Sequence, residues 1–201
     1  MRQKKPDDQY HHGDLRRALI HAALSMLAKS RGDVSELSLR AVAAKAGVSP
    51  AAPYHHFEDK TALLAAIAED GYMELGAALA SSVDNATDTK LVERVVRAYL
   101  RWAQENSARY RVMFLPELRE RRFEAIRAVA AATLAQWAAW LRLLRPGRSA
   151  AESQVLAVTL WAALHGFVQL QIEGVLDKPG LPGGHALEEG VIAKLCEMAH
   201  G

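Results

Sequence analysis

From Leu15 to Met198 the apolar residues return every three or four positions, and no stretch alternates as a half-buried strand would. That single periodicity confines the chain to an all-α fold, and the breaks in it predict about nine helices. The first runs from Asp14 to about Arg31, with Leu15, Leu19, Ala22, Ala23, Met26 and Leu27 inward and Gly32 as its stop. A short second helix starts at Ser38, whose hydroxyl can cap it, and ends at Gly47. A third starts at Ser49 with Pro50 in its first turn. Asp59 then caps a fourth, which carries Leu63, Leu64, Ile67, Met73, Leu75 and Leu79.

The small polar run Ser81 to Asp88 reads as a loop, followed by a helix over about Thr89 to Asn106 and a short one from Ser107 that stops before Pro116. A seventh helix is expected from Glu117 through Trp137 and Trp140 to Leu144, where Arg145-Pro146-Gly147 breaks the pattern. Ser149 and Glu152 form a capping box for a long helix ending near Gly174. Lys178 to Gly184 reads as a loop, and the last helix places Leu187, Val191, Leu195 and Met198 on one face.

Composition narrows the class. Half of the 201 residues are hydrophobic and 24% are charged, which suits a globular chain with a sizeable core and excludes collagen, disorder and a disulfide scaffold. The single cysteine, Cys196, has no internal partner, so it is read as a small core residue in a reducing compartment. The polar N-terminus carries no apolar stretch, which argues against a secretory signal and for the cytoplasm. Ser153 to Ile172 holds no charge and is long enough to span a bilayer, yet Gln154, Thr159, His165, Gln169 and Gln171 would be costly in hydrocarbon. A helix buried in the protein or between two subunits is the expectation, with no membrane partner. Up to Lys60 there are ten lysines and arginines against seven carboxylates, and beyond it fifteen against sixteen. A slightly basic end on a neutral body suits contact with nucleic acid without proving it.

The informative stretch is Ser38 to Lys60, SLRAVAAKAGVSPAAPYHHFEDK. Two short helices meet at Gly47, where a sharp turn needs left-handed backbone. Leu39, Val42, Ala43 and Ala46 give the first an apolar face, against which Val48 and Phe57 can pack the second. The second is too polar and short to stand alone, and the expectation is that it lies in a major groove with its N-terminal residues at base edges.

Over about Tyr10 to Tyr72 the chain resembles the TetR family of transcription regulators. It has Gly47-Val48-Ser49, then Tyr54, His55, His56 and Phe57, then Lys60, at the places where that family carries its signature. The resemblance implies residues 1–60 as a DNA-binding domain and 61–201 as a helical domain for effector binding and dimerisation. It implies that Arg40 reaches a guanine edge or a phosphate, and that Pro50, Ala51 and Ala52 sit where a recognition helix meets bases. Small and apolar, those three can touch thymine methyls but donate no side-chain hydrogen bond. Ser38, Ser49, Tyr54, His55 or His56, and Lys60 are the implied phosphate contacts. Arg2, Lys4, Lys5, His11 and His12 form either a basic arm or a solvated tail. Pro53 departs from the pattern. It lacks the N–H for the first helical bond and disfavours the α conformation at Ala52, so a distorted first turn is expected and the base-facing residue among 50 to 53 is left open.

Beyond Met73, Trp161, His165 and Gly166 resemble a TetR-family C-terminal class marked by Trp-x-x-x-His-Gly. Trp161, His165 and Val168 or Gln169 share a helix face. With Trp102, Tyr110, Met113, Phe114 and Trp137 they are either plain core or the lining of an apolar effector pocket with His165 as its polar handle. His165 has no Cys, Asp or Glu at ligand spacing beside it, so no metal is expected, and nothing in the sequence calls for a cofactor. The last two helices are the implied homodimer interface. Two-fold pairing would set two recognition helices about 34–36 Å apart on a near-palindromic operator in double-stranded DNA. The expected function is a repressor released by a small-molecule effector. The rivals are a dimeric DNA-binding protein without effector and an all-helical enzyme, for which no catalytic constellation is present in the sequence.

Overall fold

The structure, a computed structural model, describes residues 12–83, 90–177 and 180–200. Eight α-helices account for most of them: α1 (His12–Lys29), α2 (Leu39–Ala46), α3 (Lys60–Ser82), α4 (Leu91–Glu105), α5 (Ser107–Met113), α6 (Glu124–Leu144), α7 (Ala150–Ile172) and α8 (Gly184–His200). Among the described residues there is no strand. The helix expected from Ser49 is missing from this set, which is why the count is eight and not nine. Residues 52–55 form one 3-10 turn instead. The basic arm, apart from His12 in α1, lies outside the described residues, as do 84–89 of the loop expected after α3.

Local chemistry sets the helix ends. The Ser38 hydroxyl accepts the Ala41 N–H at 3.2 Å, and Asp59 Oδ1 accepts the Ala62 N–H at 2.7 Å. The Ser149 and Glu152 capping box is present in both directions. Gly47 closes α2 in the left-handed region (φ 70°), and the Val48 N–H reaches back to the Ala43 carbonyl at 3.0 Å.

The seventh expected helix starts late. Pro116–Arg119 and Arg121–Phe123 are 3-10 turns, separated by extended backbone at Glu120 (ψ 151°), and α6 begins only at Glu124. Pro116 opens the first turn, and the break brings both Leu118 and Ile126 into the interior. In α8, Ile192, Leu195 and Ala199 are the buried residues, whereas Met198, expected on one face with Leu195, is exposed.

Helices α1 and α2 pack as a pair over Phe57 and the start of α3, with Leu19, Ala23, Val42, Ala43 and Leu63 shut off from solvent. Helix α3 continues from this module into the body, where it packs on α4, α5 and α6; α6 lies on α7, and α4 on α8. Arg111 of α5 packs over Gly32 (φ 84°) and donates to the Ile172 carbonyl at 2.8 Å, joining the module to the end of α7. Helix α7 is long and apolar enough to cross a membrane by length and composition, but it packs against α4, α6 and α8.

Candidate nucleic-acid interface and ligand cavity

The turn after α2 owes its geometry to Pro53. Without an N–H there, the chain closes by short bonds: Ala52 N–H to the Ser49 carbonyl at 3.0 Å, Tyr54 to Ala51 at 3.2 Å and His56 to Pro53 at 2.9 Å. Pro53 itself is buried, and Phe57 behind it is 3% exposed. This orientation leaves Ser49, Pro50, Ala51, Tyr54 and His55 on the outside, with Ala52 and His56 half-buried. Of residues 50 to 53, then, Pro50 and Ala51 face outward and Pro53 faces the module. Ser38 and Arg40 are exposed on the neighbouring α2 side. Lys60 donates from Nζ to the Val34 carbonyl at 3.1 Å, tying the start of α3 to the segment before α2. An ammonium has two further protons, so this tie leaves capacity for a phosphate.

The second feature is a cavity of about 350 Å³ walled by α3, α4, α6, α7 and the segment 113–119. Of the residues expected to line a pocket, Met113, Phe114, Trp137 and Trp161 do so. Tyr110 and His165 stand directly behind that wall. The Tyr99 and Tyr110 hydroxyls are 2.8 Å apart, and the Tyr110 hydroxyl lies 2.7 Å from His165 Nδ1. His165 is also stacked on Trp161, centroids 5.5 Å apart, and touches Phe114 at 4.1 Å. Burial lowers the His165 pKa, so the imidazole is neutral at pH 7, and burial raises those of Tyr99 and Tyr110 well above the usual phenol value. Tyr72, whose hydroxyl donates to the Met113 carbonyl at 3.2 Å, is pushed up to about 12 by the same desolvation. Trp102 and Gln169 are not part of the wall: Trp102 is buried on α4 away from the cavity, and Gln169 is half-buried on α7.

Sequence reasoning missed Tyr72, Leu75, Tyr99, Arg119, Arg127 and the small residues Ala130, Ala131 and Thr133 as wall residues. One signal was available. A run of alanines on the same helix as Trp137 leaves room that a Leu-rich stretch would fill. Among the described residues no group of three His, Cys, Asp or Glu is placed to hold a metal ion.

The two ends of the site are connected. Arg122, between the cavity segment and α6, donates to Asp59 Oδ2 at 2.9 Å and pairs with Glu120 at 2.9 Å. Asp59 is the cap of α3, and its carboxyl pKa is lowered first by the Ala62 N–H and also by Arg122. The same helix carries Tyr72 and Leu75 in the cavity wall.

Residues 19–67 match the family model described as bacterial regulatory proteins, tetR family, and residues 92–192 match the tetracyclin repressor-like C-terminal domain. Solved structures agree in fold. A protein with unknown function from Rhodococcus sp. RHA1 is 29% identical, with a TM-score of 0.77 over 96% of this chain and 97% of that one. A tetR-family regulatory protein from Rhodococcus RHA1 is 21% identical, with a TM-score of 0.70 over 93% and 97%. The fatty acid degradation regulator FadR from Bacillus halodurans is 16% identical, with a TM-score of 0.67 over 100% and 97%. No curated protein matches the chain.

Proposed function

The chain belongs to the TetR family of bacterial regulatory proteins, and from that premise we propose that it is a cytoplasmic homodimeric repressor released from its operator by a small molecule. The observation that carries this reading is the course of α3, capped by Asp59 beside the exposed turn at one end and lining the cavity through Tyr72 and Leu75 further along. A ligand that prefers one arrangement of this wall moves the helix, and Arg122 transmits the same shift to Asp59 from the 113–123 segment. The coupling is reciprocal: the operator must weaken the ligand by the factor by which the ligand weakens the operator.

In this reading Pro50 and Ala51 meet base edges, Tyr54 and His55 flank them, and Arg40, Ser38, Ser49 and Lys60 hold the phosphates. Dimerisation through α7 and α8 is supported by their outer surfaces. Only 28% of the most apolar window of α7 is buried inside the chain, and Val155 and Val158 are 67% and 45% exposed. So much uncharged helix surface calls for a second copy, whose two-fold pairing gives two equivalent half-sites.

Selection from a randomised duplex library, repeated across salt concentrations, tests the reading. A near-palindromic consensus is expected, with half-sites about one helical turn apart. Salt-sensitive retention with no consensus would reduce the face to a basic surface and overturn the regulator reading.

A further inference from the structure

Two charges of one sign stand at the edge of an otherwise apolar cavity. Arg119 and Arg127 both line it and both are exposed at its mouth. Arg127 donates from Nη1 to the Glu120 carbonyl at 2.9 Å and to the Arg119 carbonyl at 3.4 Å, which anchors its guanidinium against the backbone of the segment. Among the described residues neither arginine has a carboxylate within ion-pair distance. Glu120, next to Arg119 in sequence, is taken by Arg122 at 2.9 Å. No Asp or Glu lines the cavity.

The interior has little left to offer a polar body. The Tyr72 hydroxyl is committed to the Met113 carbonyl, the Thr133 hydroxyl to the Val129 carbonyl at 3.1 Å, and the Tyr99 hydroxyl to Tyr110. Apart from the indole N–H groups, what remains is ring faces and methyl groups from Phe114, Trp137, Trp161, Leu134 and Ile126. An apolar cavity of about 150 Å³ accommodates benzene, so the roughly twofold larger space here, about 350 Å³, suits an apolar body of about two rings.

We propose that the effector is a hydrophobic carboxylate, its two-ring-sized apolar body enclosed among these side chains and its carboxylate held at the mouth by Arg119 and Arg127. The proposal rests on the cavity being the effector site. It adds the sign of the head group and the place where it is bound. A guanidinium's planar fork matches a carboxylate; Arg119 sits on the segment whose Arg122 holds Asp59, and Arg127, in the first turn of α6, is hydrogen-bonded to that segment's backbone. The head group would therefore engage the wall segment that reaches the cap of α3.

The test uses the full chain and three probes of one shape: 2-naphthoate, neutral 2-naphthol and cationic 2-naphthylmethylamine, titrated by calorimetry at low and high salt. At low salt 2-naphthoate is expected to bind about tenfold tighter than 2-naphthol, and the amine most weakly. The naphthoate advantage should shrink as salt rises, because both arginines are exposed. In the Arg119→Gln, Arg127→Gln double variant naphthoate should fall to the level of naphthol, with naphthol unchanged, which also shows that the variant is folded. Ala130→Trp should abolish binding of both by filling the cavity. Equal binding of naphthoate and naphthol overturns the proposal, as does an advantage that survives the double variant, or no binding by any probe. If naphthol binds and releases operator without any carboxylate preference, only the head-group assignment fails. Absence of an operator consensus would instead remove the regulator reading while leaving the carboxylate result standing.

Discussion

The module of α1, α2 and the 52–55 turn has a filled interior. Leu19, Ala23, Val42 and Ala43 show no solvent exposure, and what the module offers a partner lies on its outside, at Pro50, Ala51, Tyr54 and His55. The body formed by α4 to α8 is the reverse. With α3 its helices border a cavity of about 350 Å³, and what they offer a partner is on the inside, at Phe114, Trp137 and Trp161. A filled interior ties side-chain identity to folding, whereas a cavity wall ties it to binding. The same kind of substitution should therefore read out differently in the two regions.

The widest separation is expected between two truncations. Phe57→Ala removes a ring that is 3% exposed from the centre of the module and should cost about 3–5 kcal/mol in urea denaturation. Leu134→Ala, on a half-buried residue that already borders open space, should cost about 1 kcal/mol and alter ligand binding instead. Equal costs would mean that the wall is packed core and the comparison is wrong. Next in size is backbone strain. Gly47→Ala, at φ 70° with open space around the new methyl, should cost about 1–2 kcal/mol for the left-handed backbone alone. Gly32→Ala, at φ 84° with the Arg111 side chain in the way, should cost more and loosen the joint between module and body. Asp59→Ala should cost about 1 kcal/mol through the lost cap. Arg122→Ala should barely change stability, because the pair is solvent-exposed. It should nevertheless weaken the coupling between ligand and operator, read as the ratio of operator affinities with and without ligand.

The smallest effect is one of pH. Burial lowers the His165 pKa in the fold below its ordinary 6.5, so the unfolded chain binds the proton more readily. Its contribution is intact above pH 6.5 and is lost as the pH falls from there through the folded value. Asp59 is lowered in turn from 3.8, so its share is lost only in the more acid range below that. His165→Gln should flatten the first window and leave the second unchanged, measured as thermal midpoint against pH.

The module was legible in sequence because its signals are local. A serine at 38, a glycine at 47 and an aspartate at 59 each fix a helix end within three or four residues of themselves. Even the distortion at Pro53 could be read, since a missing N–H has the same consequence in any context. Its direction could not be read, because which side of the turn is buried depends on α1 and Phe57. The cavity was legible only in part for the same reason. Trp137 and Trp161 announce an apolar interior, but whether they fill it is decided by the bulk of residues on three other helices. The 116–123 segment was misread as helix because its charges and Leu118 fit a helical period. What breaks it is the extended backbone at Glu120, whose carbonyl accepts Arg127 seven residues on.

The central claim is that the outward face of the short turn reads base edges in a two-fold arrangement. Operator selection repeated with Ala51→Gln tests it most directly, because a glutamine at an exposed position can pair with adenine where alanine touches only a methyl. The account predicts a changed base preference at one position in each half-site, symmetrically placed, with the half-site spacing unaltered. Recovery of the same consensus as the unsubstituted chain would contradict it.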